Sequence, residues 1–273
     1  MSNSTEYPNT GAMAFIDKHP AQESVKIIDW QGNNRAYSFP TLFAQTSAIN
    51  LVYSADYVSV KKLLPRQVPN PVRISKNRCL VTFTLFQYGS ISDNMEGYNE
   101  FVVGTFVSKS RIPLLPAILR NSFESTCTYV FDMPVDAEEN CHRGNEIWGL
   151  PKTMKKFDVQ RTDDHLHCRV SDQGHLCYEI SSPLKGKNWF TTNERNRSLS
   201  VDKNGRTQAS DIHIHSNEQK FFSARSPFAS QVEIKFGMME THAKYRHIGL
   251  SEKPLITRHL SNMNSALYAP KSY

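Results

Sequence analysis

The sequence predicts a mainly β (α+β) fold, in which a largely antiparallel sheet closes or folds on itself beside a few short helices. Three observations carry this. Apolar and polar residues alternate with a period of two over many short runs, the pattern of strands with one buried face. Turn-forming stretches such as Asp172-Gln173-Gly174 and Asp202-Lys203-Asn204-Gly205 stand between the runs. The 273 residues contain no internal repeat, low-complexity tract or obvious linker, and barrels and sandwiches of this length form one unit.

Residues 1–40 are polar and punctuated by Pro8, Gly11, Pro20 and Pro40. They predict a partly ordered N-terminal arm with one short strand around Val25 to Asp29, ahead of a single domain over 41–273. Asn50-Leu51-Val52-Tyr53 is strand-like. Asp56 then stands where a helix N-cap would, followed by Tyr57, Val60, Leu63 and Leu64 at helical spacing until Pro65 stops the helix. Val81, Phe83 and Leu85 alternate with Thr82 and Thr84, a strand with one apolar and one semi-polar face. Phe101 to Val107 and Cys127 to Met133 are two more strands, and Pro113 to Arg120 between them is a helical turn or a loop. Asp136 to Trp148 is a short helix or an irregular segment ending at Gly149. His165 to Val170, Leu176 to Ser181, Asp211 to His215 and Gln231 to Phe236 keep the two-residue period.

Composition excludes several classes. With 39% hydrophobic and 21% charged residues the chain can bury a sizeable core. The net charge of +6 is spread, with Lys61-Lys62 and Lys155-Lys156 as local maxima. It lacks the basic stripe of a nucleic-acid binder, and a mild attraction for carboxylates is the better use of it. Five cysteines, Cys79, Cys127, Cys141, Cys168 and Cys177, include no CxxC pair, which disfavours a disulfide framework or structural zinc. Residues 1–20 lack the regions of a secretory signal, and no window approaches the roughly 18 apolar residues of a membrane span. A cytoplasmic location without membrane attachment is the expectation.

Gly144-Asn145-Glu146-Ile147-Trp148-Gly149-Leu150-Pro151-Lys152 is the most informative segment, because it sets one lysine after a proline among large apolar side chains. An exposed lysine has a pKa of about 10.4, so about one in 2,500 is neutral at pH 7. Burial against Trp148, Leu150 and Met154 would disfavour the ammonium and favour the nucleophilic amine.

The stretch Gly144-x-Glu146-x-x-x-Pro151-Lys152 resembles the active-site segment of the acetoacetate decarboxylase family. The upstream order agrees: Asn50 to Tyr53, then Asp56 and a helix to Pro65, the strand at Val81, and Tyr98-Asn99-Glu100. The likeness spans roughly residues 49–157. It implies a cone-like closed antiparallel β-barrel, a homo-oligomer, and a carbon-carbon lyase that attacks a small keto acid through an imine on Lys152 without a cofactor. Glu100 matches the family's active-site glutamate; activated lysines of this kind are a known feature of the family. Tyr98, Thr84, Trp148 and Leu150 are candidate substrate contacts.

The sequence also departs from the family. Thr153 follows Lys152 where the decarboxylase has a second lysine, and Thr46 and Thr84 replace an arginine and a glutamate. Burial therefore has to do more of the work at Lys152, and three readings stay open: decarboxylation, aldol or dehydration chemistry on pyruvate-like substrates, and a catalytically silent ligand-binding barrel. Arg246, Arg258 and Tyr268 are candidates to replace the missing polar groups. Asp211-x-His213-x-His215 could offer metal ligands but reads better as an exposed polar face, a pattern His165 and His167 repeat; no metal is expected. Cys141-His142-Arg143 reads as a helix surface or as an aid to the pocket.

Overall fold

The structure, a computed structural model, describes residues 10–109, 126–189 and 192–273; the segment Pro113 to Arg120 lies outside them. After helix α1 (Thr10–Asp17), β1 (Glu23–Ile28) and β2 (Asn34–Phe39) form a hairpin. Its turn is tied by the Asp29 carboxylate, which accepts the amides of Gln31 and Asn33 at 2.9 and 2.8 Å. The sequence pattern predicts only one strand here, within a partly ordered arm. The structure adds β2 and anchors the hairpin, because Tyr37 and Phe39 are buried in one apolar cluster with Ile147 and Trp148. Two apolar residues flanked by polar ones gave too weak an alternation to reveal β2.

The chain continues through β3 (Thr41–Asp56), helix α2 (Tyr57–Leu63), β4 (Arg73–Ser75), β5 (Arg78–Gln87), the small hairpin β6 (Ser90–Ile91) and β7 (Met95–Glu96), β8 (Asn99–Ser108) and β9 (Thr126–Val135). Helix α2 begins as its sequence predicts: Asp56 caps it by accepting the Ser59 amide at 2.8 Å, and Tyr57 and Val60 are buried. Helix α3 (Glu138–Trp148) leads to β10 (Lys152–Met154). Then come β11 (Lys156–Arg161), β12 (His165–Asp172), β13 (His175–Pro183), β14 (Lys187–Trp189), β15 (Thr192–Val201) and β16 (Thr207–Ser223). The run predicted from Gln231 splits into a 3-10 turn, Pro227–Gln231, and β17 (Glu233–Phe236). Helix α4 (Glu240–Ala243), β18 (Ile256–Leu267) and β19 (Lys271–Ser272) complete the described chain.

Strands β3, β5, β8, β9, β15, β16 and β18 pair in that order, and β18 returns to β3, closing a seven-stranded barrel. Every neighbouring pair is antiparallel except β9 and β15, which run parallel with Ser198 opposite Thr128. The short β10 also runs parallel to β9, with Lys152 opposite Met133.

The alternation on β5 has a direct structural cause. Val81, Phe83 and Leu85 face outward, where they join Ile49, Leu51 and Phe101 in one core with Leu166, Cys168, Tyr178 and Ile180. Those partners belong to an outer antiparallel sheet, β11-β12-β13-β17, that covers this side of the barrel; Phe101 stacks on Tyr178 at 4.8 Å. Residues opposite one another in paired strands share a face. Ala48, Phe86 and Glu100 therefore form one lumenal row, and Asn50, Thr84 and Val102 the next. Ala48, Leu260 and Met263 pack with Phe86 and Ile214 inside the barrel.

One buried group gives this fold a pH limit. His259 lies opposite Ile49, is 5% exposed, and neither ring nitrogen has a hydrogen-bond partner. Burial pulls its pKa down to about 4, below the ordinary value of about 6.5. The folded state thus binds fewer protons than the unfolded one, so this group's contribution is intact above about pH 6.5 and is lost as pH falls toward 4. The full loss is about 3 kcal/mol. Urea unfolding of wild type and His259→Leu at pH 7.5 and 4.5 checks this: the variant should lose markedly less stability on acidification, and equal losses would remove His259 as a cause.

Candidate active site

The end of α3 sets up Lys152. Gly149 takes a left-handed conformation at φ 58°, and a Cβ there would sit 2.8 Å from the Asp202 Cα. The Gly149 and Leu150 amides donate to the carbonyls of Asn145 and Gly144, each at 3.1 Å, which satisfies the last helical acceptors and turns the chain. Pro151 cannot continue the helix. Its carbonyl instead accepts the Met133 amide at 3.2 Å, which starts β10 along β9. The Asn145 side chain then clamps the Lys152 backbone, accepting its amide at 3.0 Å and donating to its carbonyl at 3.1 Å.

The lysine alkyl chain lies against Gly144, where a Cβ would fall 2.4 Å from Lys152 Cδ. Its Nζ is 2.7 Å from Glu100 Oε2 and donates to the Tyr98 hydroxyl at 3.0 Å. Tyr98 in turn donates to Glu100 Oε2 at 2.9 Å, and Tyr88 donates to Oε1 at 3.0 Å. Lys152 and Glu100 are both buried. Burial, reinforced by the Glu100 charge, pushes both phenols well above 10, so each remains a protonated donor.

Of the residues singled out in the sequence, Lys152, Glu100 and Tyr98 come together in one hydrogen-bonded group. Thr84 is buried on the lumenal face, where Asn50 Nδ2 donates to it at 2.7 Å and to Thr82 at 2.5 Å. Trp148 and Leu150 are in the surrounding apolar cluster; the Trp148 indole donates to the Tyr268 carbonyl at 3.0 Å and meets Phe39 edge-on. Met154, expected to help bury the lysine, is 39% exposed. Glu146 is a surface group paired with Lys203 at 2.8 Å, and Lys155 is held by Asp172 at 2.6 Å.

Tyr88 and Asn145 are not named as site residues by the sequence, and Gly144 enters it only as the first residue of the lysine motif. Nothing in the pattern marks Tyr88, whereas Asn145 sits within the segment that already drew attention. Arg143, read as a helix surface or a pocket aid, is buried. Its spacing with Asn140, Gly144 and Ile147 on the inward face of α3 was a usable sign.

The C-terminal candidates separate. Arg258 lies opposite Asn50 on the lumenal face and reaches past β16 to form an ion pair with Glu194 of β15. Arg246 instead holds the Phe236 carbonyl, and the Tyr268 hydroxyl meets His19 Nδ1 at 2.7 Å. Asp211 pairs with Arg197, His215 with Asn193, and His213 packs on Tyr268. Among the described residues no three His, Cys, Asp or Glu side chains are grouped to hold a metal ion, and no helix is long and apolar enough to cross a membrane.

Fold and site together define a closed β-barrel protein with a buried lysine, carboxylate and phenol at one end of its lumen. The chain belongs to the acetoacetate decarboxylase family, whose family model matches residues 31–205. Among solved structures it is similar to acetoacetate decarboxylase from Legionella pneumophila, with 12% identity and a TM-score of 0.61 over 86% of this chain and 87% of that one. It is similar to the enduracididine biosynthesis enzyme MppR, solved with pyruvate, at 13% identity and a TM-score of 0.60 over 89% and 94%. An acetoacetate decarboxylase-like enzyme from Sphingomonas wittichii matches at 10% identity and a TM-score of 0.52 over 86% and 93%. No curated protein matches by sequence. At these identities the structural likenesses establish the fold.

Proposed function

We propose that this protein is a lyase that forms a Schiff base between Lys152 and a small keto acid, and that its reaction is decarboxylation of a β-keto acid. The observation that carries the reading is a buried amine 2.7 Å from Glu100 and 3.0 Å from Tyr98, a nucleophile with a proton acceptor and a donor already in hydrogen-bond reach. Glu100 takes a proton from the lysine ammonium. The free amine adds to the ketone carbon, and the carbonyl electron pair moves to oxygen, which takes up a proton. Once protonated, Glu100 can donate to the Tyr98 oxygen, which frees the Tyr98 hydroxyl from its bond to Glu100 to donate to that oxygen. Loss of water leaves a protonated imine. The bond to the carboxylate then breaks, carbon dioxide leaves, and the bonding pair moves toward the imine nitrogen to give an enamine. Protonation on carbon and hydrolysis release the ketone and restore Lys152.

Aldol or dehydration chemistry on a pyruvate-derived enamine is the second reading, favoured by the likeness to MppR, whose structure holds pyruvate. It uses the same imine, so borohydride trapping tests the shared step. With acetoacetate or pyruvate, reduction should fix the ligand on the peptide carrying Lys152, and Lys152→Ala should take up none. The ketone that traps faster selects the branch. Absence of an adduct with both would favour a silent binding barrel.

A further inference from the structure

We propose that Arg143 anchors the carboxylate of the ligand at this end of the barrel, which makes the preferred substrate a short keto acid rather than a neutral ketone. The inference rests on the Schiff-base reading for the ketone end, but not for the acid end.

Arg143 is 2% exposed, and its Nη1 is buried without any hydrogen-bond partner. A buried guanidinium is costly unless its charge and its N–H groups are met. Here its partners are the rings of Tyr37 and Trp148, whose centres lie 5.3 and 5.2 Å from Cζ. Aromatic contacts offset part of the charge, yet the N–H groups lie in the guanidinium plane and need acceptors.

Glu139 and Asp93 act on Arg143 through charge, but neither accepts a hydrogen bond from Nη1. Glu139 pairs with Arg35 at 2.6 Å and accepts from the Tyr37 hydroxyl at 3.1 Å, and Asp93 accepts the Ser38 amide at 3.0 Å. Arg258, the lumenal cation, is already matched by Glu194. Arg143 thus presents a donor, Nη1, without an acceptor in a water-poor setting, where a guanidinium suits a carboxylate.

Its position fits one end of a small ligand. Arg143 directly precedes Gly144, on which the Lys152 alkyl chain rests. Tyr98, a neutral phenol within electrostatic range of Arg143, also touches Lys152 Nζ. A molecule with a carboxylate at Arg143 and a ketone at Lys152 would bridge two groups that share Tyr98 as a neighbour.

Two probes separate the two ends: isobutyrate, an acid without a ketone, and acetone, a ketone without an acid. Isobutyrate binding to wild type, Arg143→Met and Arg143→Lys is measured by calorimetry, and borohydride trapping is run with acetone and acetoacetate. Arg143→Met should bind isobutyrate at least ~tenfold more weakly and lose acetoacetate trapping at low concentration while keeping acetone trapping; Arg143→Lys, which keeps charge but not the fork, should fall between. Unchanged isobutyrate binding in Arg143→Met would overturn the proposal, as would equal loss of both ketones. If Arg143→Met fails to fold, unchanged isobutyrate binding in Arg143→Lys overturns it instead. Failure of wild type to trap any ketone, with Arg143-dependent isobutyrate binding retained, would remove the Schiff-base reading and leave the acid site standing.

Discussion

Alanine at Gly144 is expected to abolish imine formation at Lys152 while leaving the barrel folded. The added Cβ would lie 2.4 Å from Lys152 Cδ, 2.6 Å from Cε and 3.1 Å from Cγ, distances at which one group has to move. All three contacts are atoms of a flexible side chain, so the lysine yields rather than the helix. Moving it takes Nζ out of reach of Glu100 and Tyr98, and a misplacement near 1 Å costs on the order of 10²-fold in rate. Helix α3 itself gains, because alanine is favoured over glycine in a helix interior by about 0.5–1 kcal/mol. Trapping rate and melting temperature measured together should move independently: the first collapses, the second stays within a few degrees. Retention of trapping within twofold would show that the lysine has another productive path to the ligand.

Glu100→Gln is the second large effect, and it separates charge from shape. Glutamine preserves the side chain's length and can still accept a hydrogen bond from Tyr88 or Tyr98, but it neither neutralises the lysine nor takes its proton. Removing a positioned acid or base slows the proton-transfer steps by about 10²–10⁴-fold. Isobutyrate binding at Arg143 should be nearly unchanged, since the loss is in the chemical step. A variant that traps acetoacetate at the wild-type rate would assign the proton transfers to Tyr98 or water.

The legible parts of this protein are those in which a local pattern has a single physical meaning. Thr82 and Thr84 between Val81, Phe83 and Leu85 announced a strand with two unlike faces, and the structure turns one face to the lumen and the other to the outer sheet. Asp56 followed by apolar residues at helical spacing announced α2 with its cap. Lys152 drew attention because proline and large apolar residues surround it in sequence.

What escaped depends on distant parts of the chain. Arg143 reads as a helix surface or as a pocket aid, and only the β1-β2 hairpin, more than a hundred residues earlier, decides its burial by laying Tyr37 beside it. Tyr88 carries no signal of its own; its importance arises from β5 and β8 pairing so that Phe86 lies opposite Glu100. The Arg258 and Glu194 pair joins β18 to β15 past the strand between them, a relation fixed by barrel geometry rather than by any local periodicity.

The β3-β18 seam has a consequence for synthesis. Strand β3, near the start of the described chain, pairs with β18, near its end, from Thr41 opposite Leu267 to Val52 opposite Ile256. On a ribosome, more than 200 residues must emerge after β3 before its second neighbour exists. During that interval β3 has an open backbone edge, and such an edge invites pairing with other chains. Long-range strand pairing is also slow to form. The closed barrel whose β8 sets Glu100 beside Lys152 is therefore a late product of folding, and a nascent chain stalled before residue 256 would carry the lysine without that closure.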